Sequence, residues 1–265
     1  MKLIKKLTLL FLTIIMLFPF VFVVIGSTQD AGWAFRTNID FKLGSNFLEN
    51  YNYIKNHFYI DSILINSLYI AIITACFSVI IVFLAAYAFN KYKFKFRNIF
   101  LVVFMTSVFI PQAGLLVGQL KTMVFLGVYG TIVGLIVPFI VNIRVYIYLF
   151  QVCNYIPNDL IESGRIDGAS EFKIMLLIGI PCIIDKLLFS FFILFVGSWN
   201  NFLIPMIMVT KGRNYTIPIL ISSLSDPLSY NTGSTFLALL LSIVPITIIF
   251  FLFSNKVFNI NKRIV

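Results

Sequence analysis

IPNDLIESGRIDGASEFKIMLLIGIP, residues 156–181, is the longest run between Phe139 and Asn255 that cannot sit in hydrocarbon. It carries Asp159, Glu162, Arg165, Asp167, Glu171 and Lys173 in a chain where only 11% of residues are charged. Pro157 can open a helix at its first turn, since its missing N–H would be unpaired there anyway. Leu160, Ile161 and Gly164 then fall on one face at helical spacing, with Asp159, Glu162 and Arg165 on or near the other. Gly168 can take the positive φ that stops a helix, and Ala169-Ser170-Glu171 can begin the next. The pattern predicts a short helix, a glycine corner and a second helix at a membrane surface. That shape suits docking into a partner's groove.

The flanks are apolar. Of 265 residues 60% are hydrophobic, more than a water-soluble fold needs, so an all-α polytopic membrane protein is expected. Just before the stretch, Thr131 to Phe150 reads as a span holding Asn142 and Arg144. Arg144 is either a functional intramembrane cation or a side chain that snorkels to the cytoplasmic headgroups two turns away. After the stretch, Asp185-Lys186 precede a span from Leu187 to Val209, with Ser198-Trp199-Asn200-Asn201 in its middle and Pro205 beyond. Asn200 and Asn201 are expected to face other helices or an aqueous passage, as interhelical glue or as lining. Further spans run from Ile63 to Phe89, from Ile99 to about Val117 with an interruption at Pro111-Gln112, and from Ser234 to Phe253. Leu7 to Ile25 is read as a retained first span, although a signal segment cleaved near Gly26-Ser27 would look similar.

Charge orients these spans. A formal +10 would suggest nucleic acid in a soluble protein, but here the basic residues gather in loops and no nucleic-acid partner is implied. With the N-terminus inside, cytoplasmic segments hold thirteen cations, among them Lys91, Lys93, Lys95 and Arg97, against six outside: Arg36, Lys42, Lys55, Lys121, Lys211 and Arg213. This bias predicts six transmembrane helices with both termini cytoplasmic, and it puts the Glu162 loop in the cytoplasm. Residues 27–61, the connection from Gln119 to Gly130 and residues 210–233, with Asp226 and Pro227, are then outer loops. The chain divides into a first span and outer loop (1–61), a core of five spans (62–254) carrying the cytoplasmic loop 156–181, and a tail (255–265). Cys76, Cys153 and Cys182 have no metal-like spacing, and His57 stands without a cluster, so no metal site or catalytic set is expected.

The polar stretch resembles the signature loop of bacterial ABC-importer permeases. That family shows E-A-A, then G three residues on, then I-x-L-P after nine more. Here Glu162-Ser163-Gly164, Gly168 and Ile178-Gly179-Ile180-Pro181 keep every spacing, with Ser163, Gly164 and Ile180 replacing Ala, Ala and Leu. The extension Arg165-Ile166-Asp167-Gly168-Ala169-Ser170 is similar to the carbohydrate-uptake (MalG-like) branch. Glu49-Asn50-Tyr51, Asn66-Ser67-Leu68, Trp199-Asn200-Asn201-Phe202 with Pro205, and Thr216-Ile217-Pro218-Ile219-Leu220 also resemble recurring family positions. The resemblance implies a MetI-like transmembrane domain in the bacterial cytoplasmic membrane. It implies a second homologous permease, two cytoplasmic ATPase subunits and an extracytoplasmic solute-binding protein as partners, besides membrane lipid. It also implies a permease subunit of an importer for sugars or oligosaccharides, in which Glu162, Ser163, Gly164, Asp167, Gly168, Ala169 and Pro181 form the ATPase-coupling loop. Glu162 would be the charged contact, Gly168 the corner and Pro181 the re-entry into the bilayer. Asn142, Ser198, Asn200 and Asn201 are candidates for the translocation path.

No G-x-x-x-x-G-K-[ST] run occurs, so ATP and Mg are expected on the partner ATPases and no cofactor on this chain. An ion-driven secondary transporter would be expected to carry acids within its spans, whereas every Asp and Glu here falls in a loop or at a span end. A membrane enzyme lacks a converging His, Asp or Cys set. Within the importer class, glycerol phosphate or an amino acid remains an alternative solute.

Overall fold

In the computed structural model, residues 2–38, 40–209, 212–225 and 231–258 are described. Lys211, Asp226, Pro227, Lys262 and Arg263 of the expected loops and tail lie outside them. The described residues are mostly helical and include no strand. In chain order the helices are α1 (Lys2–Gly26), α2 (Phe47–His57), α3 (Ile60–Lys91), α4 (Arg97–Thr106), α5 (Gln112–Phe125), α6 (Ile132–Ile136) and α7 (Ile143–Val152). They continue with α8 (Asn158–Ile166), α9 (Glu171–Ile174), α10 (Ile180–Cys182), α11 (Ile184–Trp199), α12 (Leu203–Met208), α13 (Ile217–Leu224) and α14 (Thr232–Phe258). Three stretches, Ile4–Gly26, Ile60–Lys91 and Thr232–Ser254, are long and apolar enough to cross a membrane unaided. Counting each of three bent helix pairs as one span raises the number to six.

The chain forms two compact units, 1–65 with 211–247 and 66–210 with 248–265. In the first, the sequence predicts a plain outer loop over 27–61, but the segment is folded around Trp33, which is fully buried. The Trp33 ring packs 5.1 Å from Phe22 and 5.7 Å from Phe236, and its Nε1 donates to the Asp40 carbonyl at 3.2 Å. Burying such a ring contributes on the order of 4–6 kcal/mol before ordering costs. Asn50 is buried and donates to the Ser27 and Gln29 carbonyls at 3.0 and 2.8 Å, so the peptide turn after α1 is satisfied by a side chain from α2. The expected outer loop 210–233 likewise contains a helix, α13. Pro218 sits in its first turn, and Ile217, Ile219, Leu220 and Leu224 are buried.

In the second unit the expected spans are present but broken. The predicted span Ile99–Val117 bends by 108° between its halves at Ile110-Pro111, and α5 runs on to Phe125, into the expected outer connection. The predicted span Thr131–Phe150 bends by 47° between Phe139 and Ile143. The predicted span Leu187–Val209 is interrupted after Trp199. Periodicity and hydropathy are blind to such breaks, because the broken residues remain as apolar as their neighbours. Ile70, Met123, Leu135, Ile136, Ile204 and Met208 form one apolar cluster that packs α5, α6 and α12 together against α3.

Candidate functional site

The stretch 156–181 folds as a helix, a corner and a second helix. Pro157 stands at the N-cap of α8, one position before the first turn. Asp159 lies in the first turn and Arg165 in the last, each at the favourable end of the helix dipole. Ile161 and Gly164 are buried, but Leu160, on the same side of the helix as the sequence predicted, is 46% exposed. Ile161 and Gly164 make the buried stripe, and Leu160, about 100° round the helix from Ile161 and about 40° from Gly164, stands at its edge. A Cβ at Gly164 would stand 3.2 Å from Ile174 Cγ1 and 3.3 Å from Ile178 Cδ1, so glycine here lets α8 lie tightly on the following segment.

The corner is a Schellman motif. Gly168 N–H donates to the Arg165 carbonyl and Ala169 N–H to the Gly164 carbonyl, both at 3.0 Å, with Gly168 at φ +77°. Asp167 is the exposed C-cap, and Ser163 donates to the Asp159 carbonyl at 2.8 Å. Ser170 restarts the helix, its Oγ accepting from Lys173 N–H at 3.4 Å. A π-helical turn follows at Met175–Gly179, then Pro181 in α10, and α11 leaves at 82°. The proline ring would clash with the Leu177 carbonyl of a regular helix, and the widened turn accommodates it.

Sequence reading missed what holds the corner. Arg165 Nε donates to Glu171 Oε1 at 2.6 Å and its NH2 to Oε2 at 3.3 Å, bridging the two helices across Gly168. Tyr92 Oη donates to the same Oε2 at 2.6 Å. Next to Tyr92, Lys91 Nζ donates to the Ile156 carbonyl and to Asn158 Oδ1, at 2.8 and 3.0 Å. Asn90 Nδ2 reaches the Phe150 carbonyl and Asn154 Oδ1, at 2.9 and 2.8 Å. The run Asn90-Lys91-Tyr92, legible in sequence only as a cytoplasmic flag, thus ties the end of α3 to the corner. The Arg165 guanidinium, and then the Tyr92 hydroxyl, hold the Glu171 carboxyl below the ordinary carboxylate range. The Arg165 pKa is raised, chiefly by its hydrogen bond to Glu171, and the Tyr92 phenol is pushed up by burial and then by Glu171. Glu162 is exposed and lines a cavity of about 470 Å³ with Lys91, Lys93, Arg97 and Arg165.

A second polar place lies away from this corner. Asn142, Ser198 and Asn201 line one cavity of about 300 Å³, together with Thr74, Gln119 and Arg144. Asn142 Oδ1 accepts from Val145 N–H and Asn201 Oδ1 from Ile204 N–H, both at 3.2 Å, so each caps the helix after a break. Asn200 is exposed and is not among the lining residues; its N–H closes the last turn of α11 on the Val196 carbonyl at 3.1 Å. Among the described residues no group of three His, Cys, Asp or Glu could hold a metal ion.

Residues 78–258 match the family model described as binding-protein-dependent transport system inner membrane component. The chain is 26% identical over 235 residues to the lactose transport system permease protein LacG of Rhizobium radiobacter, covering 89% of this chain and 85% of the other. It is 29% identical over 257 residues to the arabinooligosaccharides transport system permease protein AraQ of Bacillus subtilis, covering 94% and 90%. It is 26% identical over 232 residues to the sn-glycerol-3-phosphate transport system permease protein UgpE of Rhizobium meliloti, covering 85% and 82%. In fold it is similar to a chain of a bacterial ABC transporter involved in the import of the acidic polysaccharide alginate. There the TM-score is 0.82 at 16% identity, over 96% of this chain and 95% of that one.

Proposed function

Because the chain belongs to the binding-protein-dependent transport system inner membrane components, a family of multi-pass transport permeases, we propose that it is one of two permease subunits of a bacterial ABC importer for sugars or oligosaccharides. Relatives that carry lactose and arabinooligosaccharides support the sugar reading, and the glycerol-phosphate relative keeps a polyol phosphate as the second one. The partners are a homologous permease, two cytoplasmic ATPases that hold ATP and Mg, and an extracytoplasmic binding protein. The chain has six spans, one before residue 61 and five in the core 62–254, with both termini and the tail 255–265 in the cytoplasm.

The observation that carries the coupling role is the corner at Gly168. Leu160, Ile166 and Phe172 are exposed apolar side chains around it, 46, 86 and 65% accessible, beside exposed Glu162. Apolar side chains with one charge, on a rigid two-helix corner, are what a groove in an ATPase would take. Closure of the ATPase pair would pull α8. The Arg165–Glu171–Tyr92 contacts would pass the pull to α3, and the turn at Pro181 would pass it to α11. Asn142, Ser198 and Asn201 belong to the translocation path, into which the broken helices expose backbone that only protein or water can satisfy.

The test measures uptake, ATP hydrolysis and ATPase co-purification for Gly168→Val and Glu162→Lys, with Ser45→Ala as control. A Cβ at Gly168 would meet nothing within 4 Å, so Gly168→Val acts through φ alone, with strain on the order of 1–3 kcal/mol. Both variants are expected to insert normally and to lose most uptake, through uncoupled hydrolysis or released ATPase. Normal uptake by both at normal expression would sink the coupling role.

A further inference from the structure

We propose that the cavity at the helix breaks is a binding subsite for the acidic group of a polyhydroxylated solute, a uronate or a phosphate ester, with Arg144 as the partner of the anion. The proposal rests on the reading of this chain as a solute permease and assigns the solute's charge.

Three breaks meet there. Ile110 and Gln112 flank the first, Val141 and Asn142 lie at the second, and Ser198 and Asn201 flank the third, and all of them line the same cavity of about 300 Å³. Interrupted helices at membrane depth persist where the freed backbone faces protein or a solute passage. The lining also holds hydrogen-bonding groups left unused. Thr74 Oγ1, Gln119 Oε1 and Ser198 Oγ are buried and find no partner among the described residues, and Thr74 is only 1% exposed. Seven buried side-chain polar atoms are unpaired among the described residues, and three of them belong to this one lining, which suits a ligand with hydroxyls.

Arg144 supplies the charge. It is the one ionisable side chain in the lining, and it makes no hydrogen bond or ion pair with any described residue. Nor is it placed to snorkel. It is the second residue of α7, and the helix with its 3-10 extension to Tyr155 separates it by roughly 16 Å from the cytoplasmic corner, further than a guanidinium reaches. It also stands at the end of α7 where the helix dipole disfavours a cation and favours an anion. An unpaired guanidinium with its fork of donors, among neutral hydroxyl and amide groups, is complementary to a carboxylate or phosphate on a sugar or polyol.

The experiment uses the complete importer, purified with its partner permease and ATPases in lipid nanodiscs. Binding of digalacturonate is compared with neutral galactobiose, and of glycerol 3-phosphate with glycerol. The wild-type complex is expected to bind one of the acidic probes at least about tenfold more tightly than its neutral counterpart, and the pair that shows it tells uronate from phosphate. Arg144→Gln should erase that preference, Arg144→Lys should retain part of it, and Thr74→Val should weaken acidic and neutral forms alike. Equal or absent binding of acidic and neutral probes by the wild type would overturn the proposal, as would a preference that survives in Arg144→Gln. So would loss of the partner permease from the Arg144→Gln complex, which would make Arg144 an interface residue. ATPase co-purification and ATP hydrolysis of the wild-type complex test the permease reading separately, since neither depends on Arg144.

Discussion

Glu171 is an exposed side chain that bridges the corner. Its partners Arg165 and Tyr92 lie on α8 and just beyond the end of α3, so one carboxylate joins three elements. An ion pair this accessible adds little to overall stability, since solvent screens it and side-chain ordering opposes it. Its effect should appear in coupling instead. Glu171→Gln is expected to leave expression and assembly unchanged while lowering uptake per ATP hydrolysed by about two- to fivefold. Tyr92→Phe should do less, and Arg165→Glu combined with Glu171→Arg should recover part of the loss. If the single and double variants all match the wild type, the latch carries no force. The pH dependence has a definite sign. The Glu171 pKa is depressed, so its contribution is present at neutral pH and is lost only as pH falls through that depressed value. Arg165 stays charged throughout, because its pKa is raised. The uptake-to-hydrolysis ratio should therefore be flat between about pH 6 and pH 8 in the wild type, and a loss within that window would point to another group.

At the scale of elements, the breaks matter more than the helices. α12 has six residues, too few to persist alone, and its first turn is held by Asn201 Oδ1 on Ile204 N–H. Asn201→Leu removes that cap at a cost of about 1 kcal/mol, whereas Asn201→Ser keeps an acceptor. The expectation is reduced uptake and a lower melting temperature for Asn201→Leu, with Asn201→Ser near wild type in both. Equal behaviour of the two would mean that the cap is irrelevant. Asn200→Leu should be milder, because Asn200 is exposed and its side chain caps nothing described. Asn200 and Asn201 are indistinguishable in sequence, since adjacent residues at a helix end differ only in which way the chain turns after them. The glycines divide similarly. Gly168 was legible from its place after a polar helix, but the close approach of Gly164 to Ile174 and Ile178 depends on how the second helix returns over the first.

For the whole molecule, orientation is the property to measure. With both termini inside, a cysteine placed at Ser45 or Ser222 should react with an impermeant thiol reagent added to intact cells, and one at Ser170 should not. All three positions are exposed, so accessibility within the fold does not confound the result. Labelling at Ser170 would reverse the orientation and remove the corner from the ATPase side. The two compact units interleave along the chain, 1–65 with 211–247 and 66–210 with 248–265. A linear division at residue 61 follows the hydropathy profile, but hydropathy carries no record of which distant segments pack together. Thr232 N–H and Oγ1 bond the Ala31 carbonyl at 3.0 and 2.9 Å across two hundred residues, and nothing local announces that pairing.

The sequence by itself determined the class, the apolar spans and the helix–glycine–helix stretch, because membrane insertion and helix termination are governed by local composition and by single residues such as Gly168. Only the tertiary structure decided that the spans at 110, 141 and 201 are broken, that their breaks share one cavity with Arg144, and that Glu171 ties the corner to α3. Those are relations between residues far apart in the chain. Their free energy comes from packing and from pairing polar groups away from water, and neither leaves a period or a spacing to be read.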